Sequence, residues 1–194
     1  MAYDITLEGK NNTEALQLLE NVSKILQKDN LDYWLDGGTL LGIVRENRLL
    51  PWDDDVDLSI IDPGEHSLSK LVKSIKKDGL RVRVKMFKSS DEFFQENDIR
   101  VLKIRNKKVF GLIKGKVCLE IFIRKRIGKN TYCRVGKTTQ IIPYKYCSPQ
   151  KKINFQGHNY LAPELTSEYL TCKYGDWQTP LKEWDVFTDD KSMS

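Results

Sequence analysis

Residues 36–58 read DGGTLLGIVRENRLLPWDDDVDL, and two features of that stretch constrain the rest of the chain. Gly37 and Gly38 break whatever precedes them, and Thr39 can then cap a short helix whose Leu40, Leu41 and Val44 pack inward. Pro51 closes the connection. Beyond it Val56, Leu58 and Ile60 alternate with Asp55, Asp57 and Ser59 in the period of a strand. The order is therefore strand, glycine turn, helix, strand. Side chains two apart in a strand share a face, so Asp53, Asp55 and Asp57 converge, while Asp54 points away or lies in the turn before the strand.

Three carboxylates so close repel one another in a partly dry site unless a cation neutralises them. Mg²⁺ is the simplest resident, with Mn²⁺ as the alternative, and its preference for hard oxygens shared with substrate phosphates points to phosphoryl chemistry. A glycine turn that opens a helix offers N–H groups and a positive dipole end to an anion, and Thr39 adds a hydroxyl. Taken singly, each feature has a plain reading, a solvated acidic turn and an ordinary loop. Together they place a phosphate cradle beside a metal site. Trp52, next to the acids, reads as support for the loop.

Working outward, Ala15, Leu18, Leu19, Val22, Ile25 and Leu26 recur at helical spacing between about Thr13 and Lys28, with Asn12 or Thr13 as cap. Leu31 to Leu35 reads as a short strand. Asp62-Pro63-Gly64-Glu65 opens a second helix through Lys77, with Leu68, Leu71, Val72 and Ile75 inward. Leu80–Phe87, Ile99–Arg105, Val109–Ile113 and Val117–Ile123 alternate as strands do. Pro163–Tyr174 reads as a helix and the final TDDKSMS as a frayed end. No repeat, low-complexity tract or linker intervenes. Residues 1–194 thus read as one α+β domain, a mixed β-sheet flanked by helices with a small C-terminal helical element.

A chain of 194 residues can bury roughly 70% of its unfolded surface, so it needs neither metal nor disulfide to fold. Cys118, Cys133, Cys147 and Cys172 form no CxxC or CxH spacing and read as scattered reduced thiols. The start, MAYDITLEGKNN, has no apolar run behind a basic cluster, and no run of ~18 apolar residues occurs anywhere. A cytoplasmic location is the expectation.

The net charge of +5 is unevenly distributed: between Asp98 and Glu164 many Lys and Arg face a single acid, Glu120. Such a half suits nucleic acid, an anionic membrane surface or a phosphorylated small molecule. No RGG tract, zinc finger or RNP-like pattern accompanies it, so nucleic acid is not expected. Glu120 itself lies in KVCLEIFI, among Val117, Leu119, Ile121 and Ile123. A carboxylate there reads as a further metal ligand or as a general base for an acceptor hydroxyl, the plain alternative being an ion pair with Lys116 or Arg124.

The stretch 36–58 closely resembles the signature of the LicD/fukutin family of phosphotransferases. VCLEIFI at 117–123 and the segment from Phe155 through APELTSEYLTCKYGDWQTP extend the likeness over most of the chain. The resemblance implies a nucleotidyltransferase-like fold that uses Mg²⁺ and a CDP-activated alcohol. Phosphocholine, glycerol phosphate or ribitol phosphate would move to the hydroxyl of a glycan or glycolipid, with CMP leaving. An acceptor beside anionic lipid would bring peripheral membrane association with it.

Carried over by position, Asp53, Asp55 and Asp57 match the acidic metal motif, and Gly38 and Thr39, with Gly37 beside them, match the glycine turn. Asp176 and Trp177 match the late YGDW element, where Trp177 either stacks on substrate or packs inward. Glu120 stands where the family more often has Asp, and its extra methylene shifts the carboxylate by ~1.5 Å, so ligand and base both stay open. Arg45 lies within the motif and is a candidate to hold a donor phosphate bidentately, with a surface arginine as the plainer reading; Lys103 and Arg105 are comparable candidates. Two other functions fit the same residues: nucleotidyl transfer from an NTP with release of pyrophosphate, and a non-catalytic module that binds nucleotide or anionic glycan.

Overall fold

The computed structural model describes residues 4–108, 113–180, 185 and 187–193. Helix α1 (Lys10–Lys28) buries Ala15, Leu18, Leu19, Val22, Ile25 and Leu26, the six positions its periodicity selects. It starts three residues before Thr13, and Gly9 caps it without a side-chain hydrogen bond, so neither Asn12 nor Thr13 is the cap. Strand β1 is only Trp34–Leu35. Helix α2 (Gly37–Glu46) already includes both glycines, and its cap is Asp36, whose carboxylate accepts from the Gly37 N–H. Thr39 is thus freed for another partner. Leu40 and Leu41 are buried as expected, whereas Val44 is 38% exposed.

Strand β2 (Val56–Ile61) and helix α3 (Glu65–Lys77) follow, then β3 (Arg81–Met86) and β4 (Ile99–Arg105), all close to their predicted spans. The predicted strand Val109–Ile113 lies outside the described residues except for Ile113, which with Lys114 forms β6 and pairs with β5 (Lys107–Lys108). Strand β7 (Leu119–Ile127) starts later and runs further than Val117–Ile123. The main sheet has the order β1-β2-β7-β4-β3, with β2 and β7 parallel and its other neighbours antiparallel. It is a mixed sheet. Buried residues from Leu7 to Leu170 form one continuous core, with α1 and α3 among its contributors.

The second half holds elements that the sequence reading passes over. Strands β8 (Asn130–Val135) and β9 (Thr138–Pro143) extend β7 by two antiparallel ladders. A one-turn helix α4 (Tyr144–Cys147) leads to the hairpin β10 (Gln150–Phe155) and β11 (His158–Pro163), and α5 (Thr166–Tyr174) closes the series. The signal for the hairpins was present: Gly136 and Gly157 sit at positive φ between alternating segments. The described C-terminal residues, 187–193, are not frayed. Asp190 and Ser192 are buried, Gln140 bridges to Met193, and the Lys191 N–H donates to the Lys173 carbonyl at 2.7 Å. A polar segment is ordered here by buried partners that its own composition does not reveal.

Candidate active site

On the sheet face that carries Asp57, pairing places four charged residues in register. Asp57 is opposite Glu120, Glu120 opposite Lys103, and Lys103 opposite Arg83. Directly paired side chains share a face and lie about 5 Å apart, so this row runs across four strands from acid to base. Glu120 is buried, and its Oε1 lies 2.5 Å from Lys103 Nζ. Neither Lys116 nor Arg124 is that partner.

The acids arrive by a different route from the expected alternation. Strand β2 begins only at Val56, so residues 53–55 form irregular chain and are not bound to a two-residue period. Asp54 therefore does not point away: Asp53, Asp54 and Asp55 each bring a carboxylate oxygen within 4.8 Å of the others. Asp57 lines the same cavity from the strand proper. The Leu7 N–H donates to the Asp53 carbonyl at 2.8 Å and pins the loop.

Gly37 and Gly38 leave room for carboxylates. A Cβ on Gly38 would sit 2.0 Å from Asp53 Oδ2, and one on Gly37, at φ +54°, would sit 2.2 Å from Asp57 Oδ2. Thr39 is buried, and its hydroxyl accepts from the Asp57 N–H at 2.9 Å, so it serves the backbone of the strand. The glycine turn is thus tied to the acids first.

Electrostatics follow from this crowding. Burial pushes the Asp53 carboxyl up to about 6. Asp55 and Asp57 are raised well above the usual range, first by burial and then by each other's neighbours: Asp53 and Glu120 for Asp55, Asp55 and Asp53 for Asp57. An all-oxygen donor set whose charges repel fits a hard divalent cation. A carboxyl whose pKa is higher folded than unfolded stabilises the fold while protonated, and that contribution is lost as pH rises through the folded value. The metal-free protein is therefore expected to melt at a lower temperature at pH 7.5 than at pH 5. The depressed pKa of Asp36 acts only below the ordinary carboxylate range and does not cancel this difference. Saturating Mg²⁺, at a hundred times its Kd, should raise Tm by about 5–10 °C at pH 7.5 and by much less at pH 5, read by differential scanning fluorimetry.

The cavity has a volume of about 800 Å³, and its far wall is basic: Arg81, Arg83 and Lys85 of β3, Arg100, Lys103 and Arg105 of β4, and Lys114 all line it. Arg81 pairs with Arg105, like charge opposite like. Arg83, with Lys103 and Arg100, pushes the Lys85 ammonium pKa down. The RVRVK alternation at 81–85 was a legible signal for this wall. Lys103 and Arg105 both line the cavity, and Arg105 also donates to the carbonyls of Gly115 and Lys116.

Arg45 lines the cavity but its guanidinium is engaged. Nε and Nη2 donate to Glu46 Oε1, and Nη1 donates to the Trp177 carbonyl at 3.2 Å. It fastens the late YGDW element to α2 rather than presenting a fork to a phosphate. Trp177 is half-buried against the core, and Asp176 is exposed at the rim, accepting from the Thr179 hydroxyl at 2.8 Å. Trp52 is 54% exposed at the cavity edge, with Arg48 6.0 Å above its ring, so it does not brace the loop by burial.

Because Glu120 is held by Lys103 outside the tight Asp trio, Glu120→Gln separates its two roles. Retained Mn²⁺ affinity with turnover slowed ~10²-fold is the expected outcome and identifies a base. Lost affinity identifies a ligand.

Acids and a glycine turn at one end of a mixed sheet, a basic wall at the other and helices behind define a nucleotidyltransferase-like protein. The solution structure of the antibiotic-resistance factor ANT(2'')-Ia shares that fold, with a TM-score of 0.51 at 14% identity over 90% of this chain and 78% of that one. Residues 30–164 match the model of the LicD/FKTN/FKRP nucleotidyltransferase domain, and the chain belongs to that family. Human "Ribitol-5-phosphate transferase FKTN" is 27% identical over 88% of this chain and 34% of its own length. "Lipopolysaccharide cholinephosphotransferase LicD" of Haemophilus influenzae is 37% identical over 22% of this chain and 16% of its own. The chain spans only part of such relatives, 58% of a Rickettsia prowazekii protein and about a third of the human one.

Proposed function

We propose that this chain is a catalytic domain that moves a phospho-alcohol group from a CDP-activated donor to a hydroxyl of a glycan or glycolipid, releasing CMP. Family membership supports a transferase of phospho-alcohol groups. The observation that supports the finer reading is the row Asp57–Glu120–Lys103–Arg83, which sets an acid cluster against a basic wall inside one cavity, an arrangement suited to a cation on one side and phosphate oxygens on the other.

Asp53, Asp54, Asp55 and Asp57 would hold Mg²⁺ or Mn²⁺, which when bound supplies positive charge to the donor's pyrophosphate and to the oxygen that leaves with CMP. Lys103, Arg105 and the β3 cations hold the remaining phosphate oxygens and orient the phosphorus for in-line attack. Glu120 takes the proton of the acceptor hydroxyl, and Lys103 keeps its carboxylate aimed. No helix among the described residues is long and apolar enough to cross a membrane. A cytoplasmic site of action, with an acceptor carried on a membrane surface, is part of the same proposal.

The test is Mg²⁺-dependent CMP release from CDP-choline, CDP-glycerol and CDP-ribitol, with and without candidate glycans, using Asp55→Asn as control. Release from one donor that disappears in the control supports the reading and names the transferred group. Silence with all three, together with pyrophosphate release from an NTP, replaces it with nucleotidyl transfer.

A further inference from the structure

Asp36 is 2% exposed, yet it is surrounded as a charged group. Its Oδ1 accepts from the Gly37 N–H at 2.7 Å, the Tyr169 hydroxyl at 2.6 Å and Lys173 Nζ at 2.8 Å. Its Oδ2 accepts from the Ser59 hydroxyl at 2.5 Å and lies 3.9 Å from Arg124 Nη1. Burial alone would raise its pKa, but Lys173 and Arg124 hold it well below the carboxylate range.

Lys173 and Arg124 are buried as well, at 5% and 0% exposed. Two buried cations beside one anion would be strongly unfavourable, and the second anion comes from the C-terminal segment. Arg124 Nη1 donates to Gln140 Oε1 at 2.6 Å, and Gln140 Nε2 donates to Asp190 Oδ2 at 2.8 Å. Backbone bonds seal the junction, from Lys191 N–H to the Lys173 carbonyl at 2.7 Å and from Ile141 N–H to the Ser192 carbonyl at 2.8 Å. A polar network thus runs from the tail through β9 and α5 to the cap of α2.

What Asp36 holds is the glycine turn, and the turn holds Asp57. The Asp36 N–H donates to the Asp57 carbonyl at 3.0 Å, while the Asp57 N–H donates to the Thr39 hydroxyl at 2.9 Å. Both backbone groups of Asp57 are therefore bonded to the segment that Asp36 anchors. The Asp57 carboxylate in turn rests where a Gly37 Cβ would be.

We propose that Lys173 is a positioning residue, holding the Asp36 carboxylate so that the glycine turn and Asp57 keep their places, with Asp190 of the C-terminal segment supplying the balancing charge. Its consequence for metal binding rests on the metal-dependent reading above; its effect on the turn does not.

Hydrogen exchange on the ligand-free protein, measured below the Tm of every variant, tests it together with Mn²⁺ affinity by calorimetry. In Lys173→Met, exchange in segments 36–41 and 55–60 is expected to rise tenfold or more while α1 and α3 stay protected. Mn²⁺ affinity should fall about tenfold, and Lys173→Arg should restore part of both. Asp190→Asn should move both readouts the same way by a smaller factor, and it decides the matter if Lys173→Met does not fold. Unchanged exchange at the turn, or a uniform rise across all helices, overturns the proposal. A wild-type protein that binds no Mn²⁺ removes the metal reading instead, and the exchange pattern alone then decides the role of Lys173.

Discussion

Asp57→Asn is expected to lower donor turnover by ~10²-fold or more while leaving the fold intact. The carboxylate it removes faces the cavity from β2, opposite Glu120 in register, and is the member of the acid set that regular structure fixes. The direction of the stability change makes the test sharper. Burial, then Asp55, Asp53, Glu120 and Asp36, all oppose a charge at Asp57, so its loss relieves repulsion in the metal-free protein. Without metal the variant should melt at or above the wild-type temperature at pH 7.5. With Mg²⁺ the order should reverse, because the wild type gains more from the cation. Near-normal turnover, or a variant that melts lower with and without metal alike, would remove Asp57 from the site.

Gly38→Ala is the second large effect, and its cause is steric. Within a helix such a change usually stabilises by up to ~1 kcal/mol, because glycine spends more backbone entropy on folding than alanine does. Here the new Cβ would meet Asp53 Oδ2 at 2.0 Å. That oxygen is the end of a side chain, so the backbone can stay while the carboxylate swings aside. The variant should remain folded, with Tm within a few degrees of wild type, and lose Mn²⁺ affinity by tenfold or more and turnover by ~10². Gly37→Ala adds backbone strain at φ +54°, about 1–2 kcal/mol, and should lose stability too. Unchanged metal affinity in a folded Gly38→Ala protein would show that Asp53 is no ligand.

The elements that carry the site were legible where the signal is local. The six inward positions of α1, the span of α3, strand β4 and the solitary acid Glu120 follow from periodicity and from the contrast of one carboxylate with an apolar strand. Two misreadings share one cause. Assigning Asp53 and Asp55 to a strand set Asp54 aside, and assigning the cap to Thr39 overlooked Asp36, although Asp is itself among the most favoured cap residues. Each error moved a boundary by a few residues, which is enough to reassign a side chain's face.

The sequence by itself determined that this chain is α+β, that a glycine turn and an acid cluster lie on adjacent elements, and that its second half is basic, because patterning and short-range spacing act within a few residues. Only the tertiary structure decided which charges meet. Glu120 takes Lys103 as partner through the β4–β7 register. Lys173 reaches Asp36 across 137 positions, and Asp190 is linked to Arg124 through Gln140. Pairing of buried charges depends on strand register and chain return, and in a linear sequence a buried lysine is spelled the same as a solvated one.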